Sequence, residues 1–329
     1  MKQYQVAELH EIFNAGLGKI KTAIQRSSPE GLYQPIDYSL EMGGKRIRPL
    51  LLLMSYNLFS DEIENAIPAA LAIEVFHNFT LLHDDIMDNA AVRRNRPTVH
   101  KQFSENNAIL SGDAMAFLAY KYLLSAPMQS QKEVLELFTS TAIEVCEGQQ
   151  FDMEFENRNN VTESEYIEMI RLKTAVLLGC SLKAGALLAN SGEKVAAQLY
   201  DFGINLGLAF QLQDDLLDSF GNQETFGKMI GGDIIANKKT FLLIKALEKV
   251  SGPEKAELDG WLKKSDFNQQ EKIEAVLKIY NSLNIKLLTQ NKIDTYFSVC
   301  TEILESIEIE TEKKVLLKNV SNKMMNRIS

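Results

Sequence analysis

Apolar residues recur at helical spacing along nearly the whole chain. Residues 4–26 alternate apolar and polar positions with that period and predict an amphipathic helix. Ser28-Pro29-Glu30-Gly31 ends it, because proline and glycine punctuate helices. The apolar run Leu50–Leu53 follows Pro49, a residue suited to the first turn of a helix. Pro68 stands near the start of the next helix, which passes through Ile73 to a group of aspartates ending at Asp88. Asn95–Thr98 breaks the pattern, which resumes at about 105–125 and stops at Pro127. Ser130 with Glu133 forms a capping box for a helix running past Glu147, and Thr162 with Glu165 forms another. No proline falls between Met128 and Gly252, which permits several long helices. From Pro253 the chain is polar and amphipathic, with helices predicted near 254–264, 268–289, 291–307 and 310–327. Strand signals are weak, and there is no solenoid repeat, low-complexity linker or convincing domain boundary. The pattern predicts one all-α domain over residues 1–329, with ten or more helices.

Composition narrows the partners. At 45% hydrophobic residues, the 329-residue chain can bury a substantial core. A net charge of −9 argues against a nucleic-acid partner, which would need a basic face. Cys146, Cys180 and Cys300 are odd in number and far apart, so they form neither a disulfide framework nor a zinc pattern and read as reduced thiols. The opening MKQYQVAELHEIF has no apolar signal core, and no run of 18 or more apolar residues occurs. The expectation is a cytoplasmic protein without a transmembrane segment.

The chemistry concentrates in residues 73–100, IEVFHNFTLLHDDIMDNAAVRRNRPTVH. On a helix, Asp84 and Asp88 stand one turn apart on one face, with Asp85 beside them. Carboxylates so spaced can hold a hard cation such as Mg²⁺. Arg93, Arg94 and Arg96 follow, and guanidinium groups grip phosphate. The acidic pattern returns in FQLQDDLLD as Asp214, Asp215 and Asp218, 130 residues further on (214 − 84). Gly43-Gly44-Lys45-Arg46-Ile47-Arg48-Pro49 puts a tight turn and three cations before a helix, a natural anion site. His77 lies seven residues before Asp84, about 20° from it on an ideal wheel. Metal, phosphate and an apolar wall together suggest a greasy diphosphate substrate.

These motifs, with Gly112-Asp113, GQQFD, Lys173-Thr174 and the later lysines, resemble the trans-isoprenyl diphosphate synthases, from GGKRIRP to about Thr240 and more loosely beyond. The departures are Asn95, where the family usually has glycine, and Asn237 and Leu242, where it often has glycine and proline. The resemblance implies the isoprenoid synthase fold, a single large helical bundle around a central cavity. It implies Mg²⁺-dependent condensation of an allylic diphosphate (dimethylallyl, geranyl or farnesyl) with isopentenyl diphosphate, with three Mg²⁺ per active site or Mn²⁺ in their place. By the same resemblance Asp84, Asp85 and Asp88, and Asp214, Asp215 and Asp218, are the metal residues. Arg93, Lys173, Gln211, Lys228 and Lys238 match contacts to the allylic diphosphate, and Lys45, Arg48, His77 and Arg94 match the isopentenyl diphosphate site. Thr174 and Gln211 match polar groups near the developing cation, and Gln149 and Asp152 help frame the site. The departing diphosphate takes the final proton. A homodimer is expected on the family alone.

Two rival readings fit the motifs less well. A terpene cyclase usually carries a mixed metal motif at the second site and needs no isopentenyl site, whereas this chain has a second full DDxxD and GGKRIRP. A non-catalytic subunit typically loses one acidic cluster, and this chain keeps both. Product length is read from Phe79, Thr80 and Phe76, at five, four and eight residues before Asp84. An aromatic at the fifth position marks short products in the family. The absence of a second aromatic at the fourth favours geranylgeranyl (twenty carbons) over farnesyl diphosphate (fifteen). Residues near Phe117 and Leu118 are the alternative floor.

Overall fold

The computed structural model describes residues 2–126, 130–221 and 230–325, and helices carry most of them. In chain order these are α1 (Val6–Gln25), α2 (Glu30–Glu41), α3 (Ile47–Asn57), α4 (Ile67–Met87), α5 (Val99–Gln102), α6 (Glu105–Leu123), α7 (Gln131–Glu156), α8 (Glu163–Ile170), α9 (Val176–Leu188) and α10 (Glu193–Phe220). Past residue 230 come α11 (Gly232–Ile235), α12 (Phe241–Lys249), α13 (Gly252–Lys263), α14 (Gln269–Ser282), α15 (Ile285–Ser306) and α16 (Thr311–Met325). The fold is the all-α one that the pattern predicts. Among the described residues, strand is confined to a short antiparallel ribbon, β1 (Val92–Arg93) with β2 (Arg96–Pro97).

Local signals explain the helix ends. Thr162 and Glu165 form the predicted capping box of α8, each side chain meeting the other's backbone N–H. Asn268 accepts from the N–H groups of Gln270 and Glu271 to start α14. The pattern placed a helix boundary near residue 290. The chain instead turns at Leu283-Asn284, where Asn284 takes a left-handed φ of 54°. Asparagine tolerates that region, so the turn needs neither glycine nor proline. GQQFD lies inside a helix, since α7 runs through it. A Cβ on Gly148 would lie 2.3 Å from the backbone nitrogen of Lys173, so the glycine permits contact between two backbones.

By contacts the chain forms two compact units; four of their five boundaries fall inside α7, α9, α10 and α16, and the fifth lies at the end of α15. The first holds Met1–Ser140, Cys180–Tyr200 and Ile307–Leu317. Its centre is α4, buried from Ile67 through Phe76 over most positions and packed along α6, with α3, α2 and α1 alongside. α1 buries Leu9, Phe13 and Leu17, one turn apart, as its periodicity predicts. Ile63–Met87 is long and apolar enough to cross a membrane, yet 67% of its most apolar window is buried inside the protein, as in a core helix.

The second unit holds Thr141–Gly179, Asp201–Ser306 and the chain from Lys318. In it α11 packs on α14, α12 on α15 and α8, and α13 on α14. Between α8 and α9 the helix widens into a π turn, Arg171–Ala175, which carries Lys173 and Thr174. Such bulges insert one extra residue and are frequent at functional sites.

Candidate active site

In the first unit the acidic motif closes α4. Asp88 is the C-cap residue, its N–H bonded to the Asp84 carbonyl at 2.9 Å. Asp85 is 2% exposed, and Arg93 from β1 grips it with Nε 2.8 Å from both carboxylate oxygens and Nη2 2.7 Å from one. Burial pushes the Asp85 carboxyl up, opposed by Arg93. Asp84 stays partly open at 20% side-chain exposure, with Arg93 Nη2 at 4.0 Å. The outer carboxylates, Asp84 and Asp88, therefore face outward while the central one anchors an arginine.

The ribbon also aims Arg94. Its loop is Arg94-Asn95, with φ of 51° and 62° at the two residues, as a two-residue hairpin turn requires. Asn95 thus serves where glycine is usual. Arg94 Nη1 donates to the carbonyl of Gly43, and a Cβ on Gly44 (φ 127°) would lie 2.7 Å from the guanidinium. Arg48 Nη1 lies 3.2 Å from His77 Nε2. Burial, then the charges of Arg48, Arg94, Arg93 and Arg46, hold His77 well below its usual pKa, so it is neutral. Lys45 is exposed. Lys45, Arg48, Arg94 and His77 thus gather in one unit around the GGKRIRP loop, in a field of guanidinium charge suited to an anion.

The motif's middle cation does something else. Arg46 is 7% exposed, pairs with Glu74 of α4 and donates to the Leu40 carbonyl at 2.8 Å, while Asn78 donates to Glu74 at 2.8 Å. Sequence reasoning missed this tie. The available signal was a lone glutamate inside the apolar run of α4, since a buried carboxylate needs a partner.

The aromatic residues ahead of Asp84 also lie in the first unit. Phe76 is 2% exposed, with ring centroids 5.5 Å from Phe79 and 5.2 Å from Phe138. Phe79 meets His83 at 4.8 Å. The Thr80 hydroxyl bonds back to the His77 carbonyl at 2.9 Å. Phe117 is 75% exposed and packs into no wall of this unit.

In the second unit the motif sits on α10. Asp215 is buried and accepts from the Tyr166 hydroxyl and from Gln211 Nε2 at 2.9 Å, and Gln211 Oε1 accepts from Thr174 at 3.0 Å. Burial and the nearby Asp233 carboxylate push Asp215 up to about 7. Asp214 and Asp218 are half-buried. Asp218 accepts the Asp233 N–H at 2.9 Å. Lys173 lies 2.6 Å from Asp152 and Lys238 lies 3.7 Å from the same oxygen. Against burial, which would raise it, the two lysines hold Asp152 below the usual carboxylate range. Lys228 lies outside the described residues. Tyr166 and Asp233 were not anticipated, for neither stands in a motif whose spacing announces a ligand.

The donors fit Mg²⁺, a hard ion that takes carboxylate oxygens. Among the described residues no three His, Cys, Asp or Glu side chains close on one point. An all-protein cage is not what Mg²⁺ needs, since it keeps waters and takes one or two carboxylates plus substrate phosphates. The outward-facing Asp84 and Asp88, one turn apart, are such a pair.

The model of the polyprenyl synthetase family matches residues 29–280. The geranylgeranyl diphosphate synthase of Methanosarcina mazei is 41% identical over 223 residues, 67% of this chain and 69% of that protein. The geranylfarnesyl diphosphate synthase of Natronomonas pharaonis is 38% identical over 263 residues, 74% of this chain and 76% of that one. A crystal structure of a geranylgeranyl pyrophosphate synthase superposes with a TM-score of 0.93 at 43% identity, covering 99% of this chain and 100% of that chain.

Proposed function

The chain belongs to the polyprenyl synthetase family and is a prenyltransferase, and from that premise we propose that it elongates allylic diphosphates with isopentenyl diphosphate, mainly to geranylgeranyl diphosphate. The observation that carries this is the basic cluster of Lys45, Arg48, Arg94 and neutral His77 on the same unit as the Asp84-Asp85-Asp88 motif. A terpene cyclase has no need of that second anion site.

Asp84 and Asp88, and Asp214 with Asp218 on the second unit, are the carboxylates that would hold Mg²⁺, three ions per site, with Mn²⁺ able to substitute. Bound there, Mg²⁺ would act as a Lewis acid on diphosphate oxygens and neutralise the charge that builds as the allylic C–O bond breaks. Asp85 holds Arg93 in place, and Asp215 holds Gln211. Lys173 and Lys238, drawn together by Asp152, grip the allylic diphosphate together with Arg93 and Lys228. Lys45, Arg48, His77 and Arg94 hold isopentenyl diphosphate. His77 does so as a neutral group, so it adds no charge to the cluster. The Thr174 hydroxyl and Gln211 amide, locked by their mutual bond, present fixed dipoles to the allylic cation. The new C–C bond forms as the alkene attacks, and the departing diphosphate takes the proton that is lost.

Phe79 at the fifth position before Asp84, in ring contact with buried Phe76, supports a short product, and Thr80 in place of a second aromatic at the fourth favours twenty carbons over fifteen. We read residues 1–329 as one domain, because four of the five unit boundaries lie within helices. We take the protein to be a cytosolic homodimer. On α6 and at its C-cap, Leu110, Phe117 and Leu124 are 60%, 75% and 54% exposed. Spaced by seven, they share one helix face, which a second copy would cover. The deciding experiment is mass spectrometry of the products made from isopentenyl diphosphate, each allylic primer and Mg²⁺. Geranylgeranyl diphosphate as the main product supports the reading. Cyclic hydrocarbons, or no condensation, refute it.

A further inference from the structure

Lys272, on the first turns of α14, is 0% exposed. Lysine is almost never so deeply buried unless it is paired, yet among the described residues no carboxylate pairs with it. Its partners are neutral. Nζ donates to the carbonyl of Ile235 at 3.0 Å and to Asn237 Oδ1 at 2.7 Å, and it lies 4.2 Å from the centroid of the Phe267 ring. Both acceptors belong to one turn. Ile235 is the last residue of α11, whose end carbonyls carry partial negative charge. Asn237 follows in left-handed backbone at φ 54°, and its own amide donates to Leu262 of α13 at 3.1 Å.

That turn is hooked to the candidate site at both ends. At its start the Asp233 N–H bonds Asp218. At its end the Lys238 N–H bonds the Asp233 carbonyl at 2.9 Å, and Lys238 Nζ approaches Asp152. Lys239 reaches back to the Asn237 carbonyl at 3.2 Å, and burial lowers its pKa. The family's usual glycine at position 237 would accept the left-handed backbone but offer Lys272 no side chain. The asparagine and the buried lysine form a matched pair.

We infer that Lys272 is a positioning residue, which holds the 233–238 turn from inside so that Lys238 is presented to the diphosphate at a fixed place. This rests on the role proposed for Lys238, and the test separates the two. Lys272→Met keeps the length and removes the donor. It should raise amide hydrogen exchange in the peptide spanning 233–240 while the rest of α14 stays protected. It should also raise KM for the allylic diphosphate about tenfold, the scale of one charged hydrogen bond, with KM for isopentenyl diphosphate within about twofold. In a Lys238→Ala background, Lys272→Met should add little. Asn237→Gly, which keeps the left-handed backbone but deletes both the acceptor for Lys272 and the amide bond to Leu262, should give the same split and serves if Lys272→Met does not fold. Unchanged exchange in the turn, an equal rise in both KM values, or full multiplication with Lys238→Ala would overturn the inference. Raised exchange beside a silent Lys238→Ala would uphold the positioning of the turn and refute the diphosphate role of Lys238.

Discussion

Arg48 Nη1 and His77 Nε2 stand 3.2 Å apart, and a guanidinium can only donate, so His77 accepts there and carries its proton on Nδ1. Burial and the surrounding arginines keep the ring neutral. His77→Leu should raise KM for isopentenyl diphosphate about tenfold, while His77→Gln, which retains an acceptor, should recover most of the loss. Stability carries a signature too. The folded pKa lies below the ordinary 6.5, so the unfolded chain binds the extra proton. Stability is full above about pH 6.5 and falls as pH drops below it. Thermal melts of His77→Gln between pH 7.5 and 5 should show a shallower acid loss than wild type.

Removing metal should stop turnover. Excess EDTA should abolish product formation, and added Mg²⁺ should restore it. Asp84→Ala and Asp214→Ala should each lower kcat about a hundredfold or more, on the scale of deleting one strong transition-state electrostatic contact. Circular dichroism should change little, because both carboxylates are partly open. Activity persisting in EDTA would sink the metal assignment.

Product length gives a prediction in which magnitude chooses the variant. Phe76 is 2% exposed against Phe138, so Phe76→Ala should cost about 3–5 kcal/mol and confuse product analysis with instability. Phe79→Ala is the cleaner change, being only partly buried. It should shift the main product beyond twenty carbons by chromatography, with turnover largely kept. An unchanged distribution in Phe79→Ala and in the double variant would place the stop elsewhere.

The α6 face is tested by Leu110→Glu with Phe117→Glu. Sedimentation of the wild type at micromolar concentration should show a dimer, and the double variant a monomer. A monomeric wild type would leave 75% exposed Phe117 in water and refute the homodimer.

Much of this was legible because helical period and caps are local properties. The α4 helix, the Thr162 cap and the recurrent aspartate spacing need no tertiary knowledge. Individual roles were harder to read. Arg46 and Arg48 sit two residues apart in one basic motif, yet one is buried on Glu74 and the other faces His77. Arg46 is the left-handed N-cap of α3, at φ 49°, and Arg48 lies inside the helix, so the two side chains leave in different directions. Tyr166 could not be read as the partner of Asp215, because the pair is 49 residues apart and Tyr166 stands in no motif. Asn284 ends a helix through its backbone, and periodicity does not register that.

The π turn at Arg171–Ala175 takes up one residue more than α winding over the same arc. Tyr166 and Met169 before the turn, and Ala175 through Leu178 at its end and after it, are all buried, so both flanks keep their inward faces with the extra residue in place. Deleting one residue there would restore ordinary α-helical winding, leave those flanks in register and turn Lys173 and Thr174 to new directions. A single-residue deletion should therefore spare the helix packing and cost the site. Lys173 and Thr174 receive their directions from a winding error that packing on both sides preserves, with no flexible loop to be ordered when substrate arrives.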